Sequence, residues 1–186
     1  YTFMELVKNL KQSKLLKSLF IALIGTIILA ISSKIKIPFY PVPMTMQTFV
    51  ILIIGIVYGW KLGLLTVGLY LVEGIAGLPV FSGTPEKGVG IVYFTGPTMG
   101  YLVGFLVAVF LVGKFNYDKN LIKNFIKLTF SIGIIYIFGM IWLGGLIGWD
   151  KPIYKLGAQP FLLAELFKIL LATFAINQIK KFKKIL

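Results

Sequence analysis

Long apolar runs broken by short lysine-bearing gaps organise the chain. Residues 15–33 pass almost without a charge, and similar runs follow at 44–59, 62–76, 97–114, 121–149 and 159–179. About 20 helical residues are needed to cross the roughly 30 Å hydrocarbon core of a bilayer, and short or tilted spans use fewer. The pattern therefore predicts an all-α protein with six transmembrane helices in a single domain over 1–186. The second and third runs are short enough to read also as one helical hairpin that enters and leaves on the same side.

Two of the gaps differ from ordinary connectors. Residues 37–43, IPFYPVP, place three prolines in seven positions, which favours extended backbone and bars a continuous helix. Residues 77–97, GLPVFSGTPEKGVGIVYFTGP, carry five glycines and three prolines. A connector this long without regular structure marks a lid or binding loop. Its Phe81, Val92, Tyr93 and Phe94 are too apolar to float in water, so it is expected to fold back over the helices between the third and fourth spans.

Composition strengthens the membrane reading: 58% of residues are hydrophobic, 13% are charged, and the mean hydropathy is +0.93. The net charge of +13 comes from lysines in short blocks rather than on one soluble face. That arrangement suits the lipid bilayer and its anionic headgroups, and argues against nucleic acid as a partner. With six spans, thirteen lysines fall on one side, from Lys8 to Lys17, Lys61, Lys114 to Lys127 and Lys180 to Lys184, and five on the other. The lysine-rich side is the cytoplasm, so both termini are placed there in a prokaryotic cell membrane. The basic, apolar beginning of the chain is read as a first helix rather than a cleaved signal peptide, because no small-residue cleavage site follows it. With no Cys and no His, the chain has no disulfide, thiol nucleophile, His-ligated zinc or His base. It also has no GxxxxGK[ST] segment. No enzyme activity, metal or cofactor is expected, and energy for any transport must come from a partner or a gradient.

Glu165 and Lys168 stand out in PFLLAELFKILLATFAI (160–176), where they are three residues apart and share one helix face. A desolvated ion pair adds little net stability, so a small polar ligand explains the pair better than folding does. Glu73, near the end of the third run and three residues after Tyr70, reads either as a site residue or as an interfacial acid. Ser18, Ala22, Thr26 and Ala30 recur every four residues and make a flat stripe suited to close helix packing. That stripe serves either the bundle itself or docking to another membrane protein. Trp142 lies deeper in its run than Trp60 or Trp149 and is a candidate pocket residue.

The ordered segments PVPMTMQTF (41–49), GLPVFSG (77–83), GPTMGYLVGF (96–105), FGMIWL (138–143) and PFLLAELFK (160–168) resemble the BioY family. Its members are the biotin-binding S components of energy-coupling factor (ECF) transporters. The resemblance implies a six-helix membrane protein that takes biotin from outside into a pocket capped by the loop between helices 3 and 4. It also implies a transmembrane T component and two cytoplasmic ATPases as partners. By the same resemblance Glu165 and Lys168 fall where the family carries an acid and a lysine three apart, commonly Asp and Lys. Gln47, Tyr70, Glu73, Phe81, Gly96, Tyr101 and Trp142 fall in matching stretches as pocket candidates. The stripe at 18–30 resembles the surface by which S components meet the T component. The competing reading is a stand-alone secondary transporter of a small vitamin or organic anion, against which stands the absence of an apparent inverted repeat.

Overall fold

The computed structural model describes residues 3–183. Helix α1 (Phe3–Lys34) leads into a two-stranded antiparallel hairpin, β1 (Lys36–Ile37) and β2 (Met44–Thr45), with Lys36 opposite Thr45 and Ile37 opposite Met44. Pro38, Pro41 and Pro43 lack an N–H and cannot feed a helical ladder, so the chain between the strands stays irregular. The second apolar run consequently becomes helical only at Gln47, three residues later than the sequence pattern places it.

Helix α2 (Gln47–Ile75) is interrupted at Gly59, whose φ of 71° and ψ of 178° are not helical. The Gln47 side-chain amide donates to the Tyr70 hydroxyl at 2.6 Å. In a continuous helix these residues would stand about 34 Å apart at 1.5 Å per residue. Gly59 therefore reverses the chain, and 47–58 and 60–75 run antiparallel as the second and third helices of the bundle. Only glycine takes this backbone conformation freely. Gly59→Ala is expected to lower stability by on the order of 1–3 kcal/mol, whereas Gly68→Ala, where an added Cβ meets nothing within 4 Å, should not. Thermal unfolding in detergent checks the contrast.

The long loop after α2 contains the short helix α3 (Ile91–Phe94) and folds over the bundle. Phe81 is 1% exposed; it stacks on Tyr93 at 5.6 Å and meets Tyr70 edge-on at 5.4 Å. Helix α4 (Met99–Lys114) then packs on α5 (Leu121–Ile147) through Gly100 and Gly104. A Cβ on Gly100 would lie 2.4 Å from the Phe138 carbonyl oxygen, and one on Gly104 2.8 Å from the Ile135 Cα. Four-residue spacing of glycines lets the two backbones approach, as it does in membrane helix pairs. A short helix α6 (Ile153–Gly157) and a 3₁₀ turn (Gln159–Phe161) lead into α7 (Leu162–Phe182).

Among the described residues, α2 is the hub: it packs against α1, α4 and α7, and α5 closes the ring between α4 and α7. Large apolar side chains such as Phe20, Ile27, Phe130, Ile141, Phe167 and Phe174 face outward. An exposed apolar surface of this kind is at ease only in lipid. The small stripe of α1 points the other way. Ala22 and Thr26 are 0% and 2% exposed, the Tyr58 hydroxyl donates to the Ile21 carbonyl at 3.1 Å, and a Cβ on Gly25 would strike Thr66. Ala22 and Thr26 thus sit in the seam between α1 and α2, the bundle-packing alternative of the sequence reading, while Ser18 and Ala30 at the ends of the stripe are half-buried.

Candidate functional site

The first turns of α7 place Glu165 and Lys168 on the face turned toward α2 and α5, where they are 4% and 7% exposed. Glu165 Oε1 accepts three hydrogen bonds, each of 2.9 Å: from Thr48 Oγ1, from the Tyr136 hydroxyl and from Lys168 Nζ. Lys168 Nζ also donates to the Thr45 carbonyl at 2.6 Å and to Thr48 Oγ1 at 3.0 Å. An ammonium has three protons, and all three are committed. The Thr48 hydroxyl accepts from the lysine and donates to the carboxylate, so a single network ties α2, α5 and α7 together.

The second carboxylate oxygen is different. Glu165 Oε2 is buried and has no partner, and Glu165 borders a cavity of about 50 Å³, tighter than the roughly 300–1,000 Å³ of ordinary small-molecule pockets. The cavity is walled by Phe81, Tyr93, Tyr101, Phe105, Tyr136 and Phe161, and its polar edge is formed by Thr45, Gln47, Thr48, Ser82 and Thr98. Ser82 Oγ is also buried without a partner. Of the three such side-chain atoms among the described residues, two belong to residues that line this one cavity, and the third, Asn124 Oδ1, lies elsewhere. Burial pushes the Tyr93 phenol above its ordinary range, which keeps it a neutral donor to the Ser82 carbonyl.

Several residues singled out in the sequence meet here. Glu165, Gln47, Phe81 and Tyr101 line the cavity, with the Tyr101 hydroxyl bonded to the Gly157 carbonyl at 2.7 Å. Lys168 stands behind Thr45 and Thr48 and borders a separate apolar groove with Ile35, Phe167 and Leu171. Tyr70 backs Gln47 and donates to the Val80 carbonyl at 2.9 Å. Trp142 and Gly96 bond each other, indole N–H to carbonyl at 2.8 Å, and so fasten the end of the long loop to α5 outside the cavity wall. Glu73 turns toward α1, where it accepts from Thr26 Oγ1 at 3.1 Å.

The sequence model of the BioY family matches residues 6–184. This chain belongs to the BioY family. A protein of Pyrococcus horikoshii described as a probable biotin transporter BioY is 33% identical over 153 residues, covering 82% of this chain and 86% of that protein. The biotin transporter BioY of Thermotoga maritima is 33% identical over 159 residues, covering 85% and 92%. A solved structure described as the S-component for biotin from an ECF-type ABC transporter superposes with a TM-score of 0.74 at 26% identity, covering 91% of this chain and 93% of that one.

Within this BioY chain, Thr45, Thr48, Tyr136 and Ser82 complete the site and were not singled out by sequence reasoning. Thr45 and Thr48 lie beside Gln47 in PVPMTMQTF, and Ser82 beside Phe81 in GLPVFSG. A hydroxyl adjoining a candidate in such a segment was a usable signal. Tyr136 gave none, because an aromatic residue inside an apolar helix usually anchors or packs.

Proposed function

We propose that this chain is the S component of an ECF-type uptake system and binds biotin in the cavity beside Glu165. The bare, buried Oε2 of Glu165 carries this reading. Leaving a buried acceptor without a donor costs roughly 1–3 kcal/mol, and a ligand N–H would recover that cost. A carboxylate oxygen can only accept, so the ligand group that meets it must donate. Biotin's ureido ring offers two N–H groups, whereas its tail carboxylate would be repelled. The ureido end is therefore assigned to Glu165 and the apolar thioether ring to the aromatic walls. Lys168 acts from behind, by fixing and neutralising the carboxylate.

In this reading the loop-bearing end of the bundle faces outside and both termini face the cytoplasm, which the lysine distribution supports. A transmembrane T component and two ATPases would supply the energy, since the chain carries no phosphate-binding loop. Calorimetric titration of the purified protein is the test. Saturable one-to-one binding of biotin, with no heat from pantothenate, is expected. No response to biotin, or an equal response to both vitamins, would overturn the assignment.

A further inference from the structure

Lys34 is the last residue of α1, where a lysine ordinarily serves the free carbonyls of its own helix. Here it reaches across to the long loop. Its ammonium donates to the Phe81 carbonyl at 2.9 Å, to the Thr84 carbonyl at 2.6 Å and to Thr84 Oγ1 at 3.2 Å. The single hydroxyl proton of Ser33 is shared between the Ala30 carbonyl at 2.7 Å and the Val80 carbonyl at 2.8 Å. Three bonds from Lys34 and the shared one from Ser33 thus reach the segment 80–84. The same segment presents Phe81 and Ser82 to the cavity. Among the described residues the stretch that follows shows local turn bonds, Lys87 N–H to the Gly83 carbonyl and Gly88 N–H to the Pro85 carbonyl, and its Glu86 carboxylate acts on the Lys34 charge. The seating of Phe81 tolerates little error, because a Cβ on Gly74 would lie 2.1 Å from its ring.

We propose that Lys34 is a positioning residue of the binding pocket: by binding the 81–84 turn it holds the Phe81 ring and the Ser82 hydroxyl in the cavity wall. The proposal rests on the reading of that cavity as the biotin site. It also gives α1, whose main packing is against α2, a direct mechanical link to the ligand. A shift of α1 relative to the bundle would be passed to the wall through this ammonium. Charge-assisted bonds to carbonyl oxygens are strong enough for that role.

The test uses Lys34→Ala, Lys34→Arg and wild type, each also made with Lys87→Cys as a unique spin-label site, since the chain has no other cysteine. Lys34→Ala is expected to increase label mobility in ligand-free protein and to speed biotin dissociation about tenfold. Lys34→Arg, which keeps a donor-rich cation, should restore most of both. Unchanged mobility in Lys34→Ala overturns the clamp, and increased mobility with an unchanged dissociation rate overturns its positioning role. A wild-type protein that binds no biotin refutes the reading of the site, while the label still decides whether Lys34 holds the wall. Should Lys34→Ala fail to purify, Ser33→Ala removes one bond to the same segment and is read in the same way, with a smaller shift expected.

Discussion

Glu165→Gln is expected to weaken biotin binding about 100- to 1,000-fold, roughly 3–4 kcal/mol. The substitution nearly preserves shape. The glutamine oxygen can take the place of Oε1 and keep Thr48, Tyr136 and Lys168 bonded, which sends the amide nitrogen to the position of the bare Oε2. A pure acceptor becomes a donor there. The ureido N–H then faces another N–H, and the charge-assisted bond is lost along with its neutral counterpart. Calorimetry gives the affinity, and a folded, monodisperse variant shows that the loss is local.

Lys168→Met should act mainly on the fold. Among the described residues, its ammonium is the one cation bonded to a carboxylate that is 4% exposed. Removing one member of a buried ion pair leaves the other charge without compensation and costs about 3–5 kcal/mol. A lower thermal midpoint is expected, together with weaker biotin binding because the carboxylate is no longer held. The double variant Glu165→Gln/Lys168→Met removes both charges and should recover much of the midpoint without recovering binding. If the double variant were as unstable as Lys168→Met alone, packing of the lysine stem, and not the pair, would be the cause.

Much of this architecture was legible in the sequence because lipid imposes a simple rule: apolar runs of sufficient length become helices. The split of 44–76 into two helices was visible as two short runs, and Gly59 supplies the reversal between them. The prolines of 37–43 and the aromatic residues of 77–97 likewise announced an irregular segment and a folded lid. The stripe on α1 was harder to read. Smallness at four-residue spacing marks a close helix contact but does not say which helix makes it. Thr26 is buried and bonds Glu73 of α2, and Ala22 is buried one turn before it, whereas Ser18 and Ala30 are half-buried. Gly100 and Gly104 carry the same signal and went unread.

The candidate site was legible as a charge pair and illegible as a network. Glu165 and Lys168 are three residues apart, whereas Thr48 is 117 residues from Glu165, and Tyr136 is 29. Contacts at such separations arise from how α2, α5 and α7 pack, which periodicity along one chain does not encode. Division of labour within the pair was hidden for the same reason. An isolated lysine looks like the natural ligand contact, but Thr45 and Thr48 take up its protons, and the unused hydrogen-bonding capacity lies on the acid.

That unused oxygen is the centre of the account, and biotin methylated at both ureido nitrogens addresses it directly. Calorimetric comparison of this analogue with biotin on the wild-type protein should show binding of biotin and a loss of at least about 100-fold for the analogue, since no N–H remains to meet Glu165 Oε2. Comparable affinity for the two would contradict the account and place the ureido ring away from Glu165.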